Sequence, residues 1–157
     1  MKTFNNASVQ TLWNNFIKAN PEYKNYNRPE AWYFCDNQSD ANDCANLVVK
    51  GVKQATSTSL WWFKTNNYAL PKVNDLNIIT TWGGEAKAII KTIKVEQVPF
   101  NKITANYAKI EGEGDKSLKY WQDVHWAYYA REMAVKGEQP SPNMIIICEQ
   151  FKTVFTH

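Results

Sequence analysis

Apolar residues fall at helical spacing near the start of the chain. Val9, Leu12, Trp13, Phe16 and Ile17 lie three and four apart, Ser8 stands where an N-cap would, and Asn20-Pro21 ends the run. The spacing predicts an amphipathic helix over 8–19. From 21 to 31 the periodicity dissolves into "PEYKNYNRPEA", an irregular connection held by tyrosines. A second helical pattern follows a cap at Ser39 or Asp40, with Ala41, Cys44, Ala45, Leu47 and Val48 as its apolar positions. Gly51 then occupies the place where helices end in a left-handed residue. The period shifts towards two over Ala55 to Leu60, and "LNIITTW", Gly83-Gly84 and "EAKAIIKTIKVEQVPF" read as a hairpin across a glycine turn. A short helix over 102–111 is broken by "EGEGD". A long aromatic helix, capped by Asp115 or Ser117, runs to Lys136 with Gly137 as its stop, and "NMIIICEQFKTVF" closes the chain as a strand.

Helices mixed with mostly antiparallel strands predict an α+β class with a small curved sheet or barrel. The alternation of a doubly wound fold is missing, as is a glycine-rich phosphate loop. At 157 residues one domain is expected, residues 1–157, with a helical segment over about 8–30 included. A net charge of +3 permits contact with a polyanion without demanding it. The three cysteines, Cys35, Cys44 and Cys148, show no CxxC spacing, so reduced thiols fit better than a disulfide framework or a zinc site. With no signal-like apolar run at the start and no stretch approaching a membrane span, the expected setting is cytoplasmic, with no membrane partner.

The candidate chemistry begins at "KGVKQATSTSLWW". Lys53 and Thr56 are three apart, which on a regular strand points them to opposite faces; they meet only where the chain curves, and a turn at Gly51 offers that. A third polar partner is needed, and "NYAKIEGEGDKSLKYW" supplies it. Asp115 and Glu113 suit the start of the following helix, but Glu111 ends the preceding one, where negative charge is unfavourable. His125, set among helix aromatics, reads as a hydrogen-bonded core residue, and His157 as a mobile terminus. With no other histidine, neither a His-based metal site nor a Ser-His-Asp triad assembles. Trp61, Trp62 and Trp82 suit either base stacking or packing.

Two segments together carry a resemblance. Gly51-Val52-Lys53-Gln54-Ala55-Thr56 has the form G-x-K-x-x-[ST]. Ala108 to Asp115 has the form A-x-x-E-G-E-G-D, running on to Ser117, Tyr120 and Trp121. The chain resembles the ASCH domain family, in its larger bacterial subgroup, over positions 5–155. The resemblance implies a PUA-like fold, a small curved barrel, mainly antiparallel, with flanking helices and a cleft that binds RNA or nucleosides. It also implies metal-independent hydrolase chemistry, either amidohydrolase action on acetylated cytidine or cleavage of single-stranded RNA. Lys53, Thr56 and Glu111 are then catalytic, and no cofactor or metal is required. The alternatives are a non-catalytic RNA-binding module, or a domain that binds a small metabolite or a partner. Where the subgroup has Phe-Gly-Asp, this chain reads Phe34-Cys35-Asp36, so the loop before the second helix is expected to shift.

On this reading Thr56 is the nucleophile, activated either by a desolvated Lys53 or by Glu111 with Lys53 stabilising the oxyanion. Tyr107 and Ser117 orient the substrate, and Trp61 or Trp62 stacks on its base. Lys53, Thr56 and Glu111 are expected to converge in one solvent-reachable cleft.

Overall fold

The computed structural model describes residues 3–156, so His157 lies outside the described residues. The chain forms two compact units: Met1–Gly51 with Asn74–Lys91 and Lys152–His157, and Val52–Val73 with Thr92–Phe151.

In the first unit, α1 (Ala7–Ala19) begins one residue before the expected start because Asn6, not Ser8, caps it; Asn6 Oδ1 accepts from Val9 N at 3.1 Å. Ser8 is used elsewhere, accepting from Ala86 N at 2.9 Å. The apolar stripe Val9, Leu12, Trp13 and Phe16 packs on Ala31, Ile78, Ala86 and Ile89. Burying one such aliphatic or aromatic side chain contributes about 1.5–3 kcal/mol. Ala31 belongs to β1 (Ala31–Trp32), a two-residue strand that begins on the last residue of the stretch expected to be irregular and runs parallel to β3 (Leu76–Thr80). β3 pairs antiparallel with β4 (Ala86–Pro99), Ile78 opposite Ile89, across a turn in which Gly84 N donates to Thr81 O at 2.9 Å. This is the expected hairpin. α2 (Gln38–Val49) is capped by Asn37, whose Oδ1 accepts from Asp40 N at 3.0 Å. The loop before it keeps its left-handed residue, since Cys35 itself has φ +64°.

In the second unit, β2 (Ala55–Ser59) pairs antiparallel with β5 (Ile145–Thr156), Thr56 opposite Glu149 and Ser57 opposite Cys148. The expected strand stops at Ser59. Its hydroxyl accepts from Trp62 N at 3.0 Å, so Leu60 to Thr65 coils into α3 (Leu60–Thr65), which carries Trp61 and Trp62. Thr104 and Ser117 cap α4 (Ala105–Glu111) and α5 (Leu118–Ala134), and the core of this unit gathers Ala55, Phe100, Tyr107, Trp121, Tyr129 and Cys148.

The strand order is β1-β3-β4-β5-β2, which puts β1 and β2 at the two ends of the sheet, not paired with each other. The α+β class stands, but the PUA-like barrel does not. The sheet is open and mixed, neither closed nor strongly curled. A barrel requires every strand to be paired on both sides. β1 is only two residues long and enters in parallel, a pairing that alternation along the chain does not encode. Among the described residues, no helix is long and apolar enough to cross a membrane.

Asn6 both caps α1 and donates from Nδ2 to Gly84 O at 2.8 Å. Asn6→Ala is expected to cost about 1–2 kcal/mol in urea unfolding. A loss within a few tenths would mean that α1 does not depend on this cap.

Candidate functional site

The site is built where the end of α4 meets the segment leading into β2. Gln54 N donates to Ile110 O at 3.0 Å, which docks the last turn of α4 on residues 52–54. Gly112 then ends the helix at φ +77°, its N–H bonded to Ala108 O at 3.1 Å. A Cβ at this position would stand 2.3 Å from Val52 O. Only glycine permits both the left-handed turn and the close approach. The result is that Glu111 and Lys53, 58 positions apart, share one buried space.

Lys53 is 1% exposed and Glu111 2%. Lys53 Nζ donates to Ala55 O at 2.8 Å, to Glu111 Oε1 at 3.4 Å and to a Glu113 carboxylate oxygen. Three N–H donors meet three acceptors. Glu111 is equally committed. Oε2 accepts from Ser57 Oγ at 2.6 Å and from Trp121 Nε1 at 2.5 Å, while Oε1 faces Lys53 and His125 Nε2, the latter at 3.2 Å. Those four bonds fill the lone-pair positions of a carboxylate. Tyr107 Oη lies 3.0 Å from Ser57 Oγ and donates to Thr56 O at 2.9 Å.

His125 has two acceptors as partners: Trp121 O, 2.8 Å from Nδ1, and the Glu111 carboxylate. A neutral imidazole donates only once, so serving both partners requires the imidazolium. Trp121 stacks on its ring at 4.2 Å between centroids and 17° between planes, a favourable seat for a cation. Burial alone would lower the His125 pKa, but the Glu111 charge and hydrogen bond overcome it and hold the group above its ordinary 6.5. For Glu111, burial acts to raise the pKa, and Lys53, then His125, reverse this and hold the carboxyl well below the usual range. Tyr107 is pushed up by burial first and by Glu111 second. Lys53 and, when protonated, His125 thus set two positive groups against the carboxylates of Glu111 and Glu113.

Of the expected catalytic residues, the structure thus brings Lys53 and Glu111 together and not Thr56. β2 alternates, with Ala55, Ser57 and Ser59 buried and Thr56 and Thr58 half-buried, so Thr56 points to the other face of the strand, opposite Glu149. The hydroxyl at the Lys53–Glu111 pair is Ser57. Tyr107 touches the pair through Ser57, whereas Ser117 is occupied in capping α5, accepting from Tyr120 N at 3.0 Å. Trp61 donates to Glu138 at 2.9 Å, and Trp62 packs on Phe63 and Tyr68. Ser57, Trp121, His125 and Glu113 are the members that sequence reasoning left out of the site. Strand parity was the available signal for Ser57, an even number of positions from Lys53. Among the described residues, no three His, Cys, Asp or Glu side chains are grouped so as to hold a metal ion.

The ASCH domain family model matches residues 30–155. The chain belongs to the ASCH domain family. Two solved structures are similar along nearly the whole length. One is an ASCH domain from Lactobacillus crispatus JV V101, at 30% identity and TM-score 0.88, covering 96% of this chain and 95% of that one. The other is protein EF3133 from Enterococcus faecalis V583, at 33% identity and TM-score 0.85, covering 94% of this chain and 88% of that one. Both organisms are bacteria, in keeping with the bacterial subgroup. No curated protein matches the chain.

The stability of this ASCH domain should follow the charges of its buried cluster. A raised His125 pKa contributes stability that is full below the unfolded value of 6.5 and is lost as pH rises through the folded one. The depressed Glu111 pKa contributes stability that is present above 4.5 and lost as pH falls. His125→Gln should therefore cost more stability at about pH 6 than at about pH 9, read by urea unfolding at both. An equal loss at the two pH values would contradict the imidazolium.

Gly112 provides a second check in the same ASCH domain. Gly51 has a similar φ of +67°, but a Cβ there would meet nothing within 4 Å. Gly51→Ala should cost only the left-handed backbone term, about 1–2 kcal/mol. Gly112→Ala should cost clearly more, because Val52 must also move. Equal losses would sink the close approach as the device that brings Glu111 to Lys53.

Proposed function

We propose that this ASCH domain is a binding module for a nucleoside or a single-stranded RNA base, and that it does not hydrolyse its ligand. The observation that carries the reading is the closure of the Lys53–Glu111 cluster. An acyl-transfer nucleophile must lie within hydrogen-bond reach of its base. Thr56 faces away from both Lys53 and Glu111. Lys53 has its N–H donors taken by a carbonyl and two carboxylates, which leaves no donor for an oxyanion. Family membership supports the nucleic-acid part of the reading. A surface groove of about 330 Å³, lined by Trp126, Ala130, Ala134, Gly137, Glu138, Gln139 and Pro140, offers an indole wall and polar edges for a base. That volume falls at the small end of ligand sites.

One observation favours hydrolysis as the second reading. Ser57 donates to Glu111 at 2.6 Å, which is the contact a nucleophile makes with its base. Against it, Ser57 is only 7% exposed and Glu111 is a weak base, its carboxyl held below the usual range.

The deciding experiment mixes the protein with cytidine, acetylated cytidine and a labelled single-stranded RNA, following binding by tryptophan fluorescence and products by chromatography. Binding should appear without released acetate or shortened RNA and should be lost on Trp126→Ala, and that of the RNA should weaken at higher salt with a shallow slope. Turnover that disappears in Thr56→Ala or Ser57→Ala would overturn the binding-only reading and name the nucleophile.

A further inference from the structure

Two of the three cysteines touch. Cys35 Sγ lies 3.6 Å from Cys44 Sγ, both within the first unit. Cys35 sits in the loop between β1 and α2 and is half-buried, whereas Cys44 lies within α2 and is 3% exposed. The sulfurs are in van der Waals contact. A disulfide bond is about 2.0 Å long, so bonding requires an approach of roughly 1.6 Å, which side-chain rotation on a loop residue can supply. Cys148 is the internal contrast. It lies buried in β5, its Sγ facing Ile146 O at 4.0 Å, and burial pushes its thiol up to about 12. Thiols of that kind are inert, because the thiolate is the reacting species.

We propose that Cys35 and Cys44 form a peroxide-sensitive dithiol, a covalent modification site that closes the loop between β1 and α2 onto the helix. Cys35 is the attacking sulfur, since it is the one solvent reaches. Its thiolate takes an oxygen from hydrogen peroxide; the O–O bond breaks and hydroxide leaves, which becomes water on taking the proton that Cys35 gave up. Cys35 is then a sulfenic acid. The Cys44 sulfur attacks the Cys35 sulfur, the S–S bond forms, the S–O bond breaks, and the leaving oxygen departs as water with the Cys44 proton. The two thiols are oxidised by two electrons in all, and one peroxide is reduced to two waters. Cys44 acts as resolving thiol because it is already in contact, so the sulfenic acid is trapped before further oxidation. The disulfide would hold Cys35, a non-glycine residue at φ +64°, to the middle of α2.

The test treats the full chain with hydrogen peroxide under native conditions, quenches it by alkylation in denaturant, and maps the peptides by mass spectrometry. The expected result is a peptide linking Cys35 to Cys44, reversed by dithiothreitol, present in Cys148→Ser and absent in Cys35→Ser. In Cys44→Ser, Cys35 should run on to sulfinic acid, because the trap is gone. Sulfinic acid on Cys35 in the unaltered protein with no linked peptide would overturn the proposal. So would a linkage that uses Cys148, or a Cys44→Ser variant whose Cys35 oxidises no further than in the unaltered protein.

Discussion

The ion pair between Lys53 and Glu111 is the constraint on which the second unit depends. Each charge is at least 98% buried, and removing a charge from water costs several kcal/mol after relaxation. That cost is met only if every lone pair and every proton finds a partner. The commitments of Ser57, Trp121, His125, Glu113 and the Ala55 carbonyl follow from this requirement. So does the requirement for glycine at 112, since a side chain there would drive the end of α4 away from Val52 and leave both charges stranded. Losing one partner of such a pair typically costs about 3–5 kcal/mol, although replacing both by apolar groups is often harmless. The pair therefore contributes more to the uniqueness of the arrangement than to its net stability.

Strand parity decides what chemistry the pair has at hand. β2 places Ser57 on the face of Tyr107 and Glu111, and turns Thr56 towards the face shared by its cross-strand partner Glu149. On the Glu149 face the polar contact is a different one, Thr92 donating to Glu149 at 2.5 Å. One residue of register thus separates a hydroxyl bonded to a carboxylate from one that is not. The three-residue spacing from Lys53 to the marked position of G-x-K-x-x-[ST] is odd, so on a strand that stays regular the residue the motif marks and the residue at the pair are neighbours rather than one and the same.

What was legible in the sequence is what local periodicity encodes. The stripe on α1, the hairpin across Gly83-Gly84, the Ser117 cap and the closing strand all express a period of two or 3.6 over enough residues to register. Two-residue β1 has no period to read, and α3 depends on one hydroxyl, Ser59, ending a strand-like run. The failure of the barrel to close is a property of edges and pairing that no segment carries. The site was half legible. Gly51, the misplaced charge of Glu111 and the family resemblance pointed to Lys53 and Glu111, but the bonds from Trp121 and His125 arise because α5 is laid beside α4, which is tertiary information.

The directions of the pKa shifts bear on how such a cluster is used. A catalytic acid or base is tuned towards the working pH. Glu111 is moved down and away from neutrality, and Tyr107, Tyr129 and Cys148 are moved up and away from it. These are the shifts of groups held in one protonation state, the carboxylate as acceptor and the hydroxyls as donors. His125 alone among these groups starts near neutrality, and it is moved upward, by Glu111 against the effect of burial. It is also the member whose charge both of its hydrogen-bond partners demand. Its imidazolium, with Lys53, balances the two carboxylates, and loss of its proton would leave a net negative charge in a space that water barely reaches. Proton exchange in this cluster is thus coupled to the packing of α4 against α5, the helices that carry Glu111 and His125.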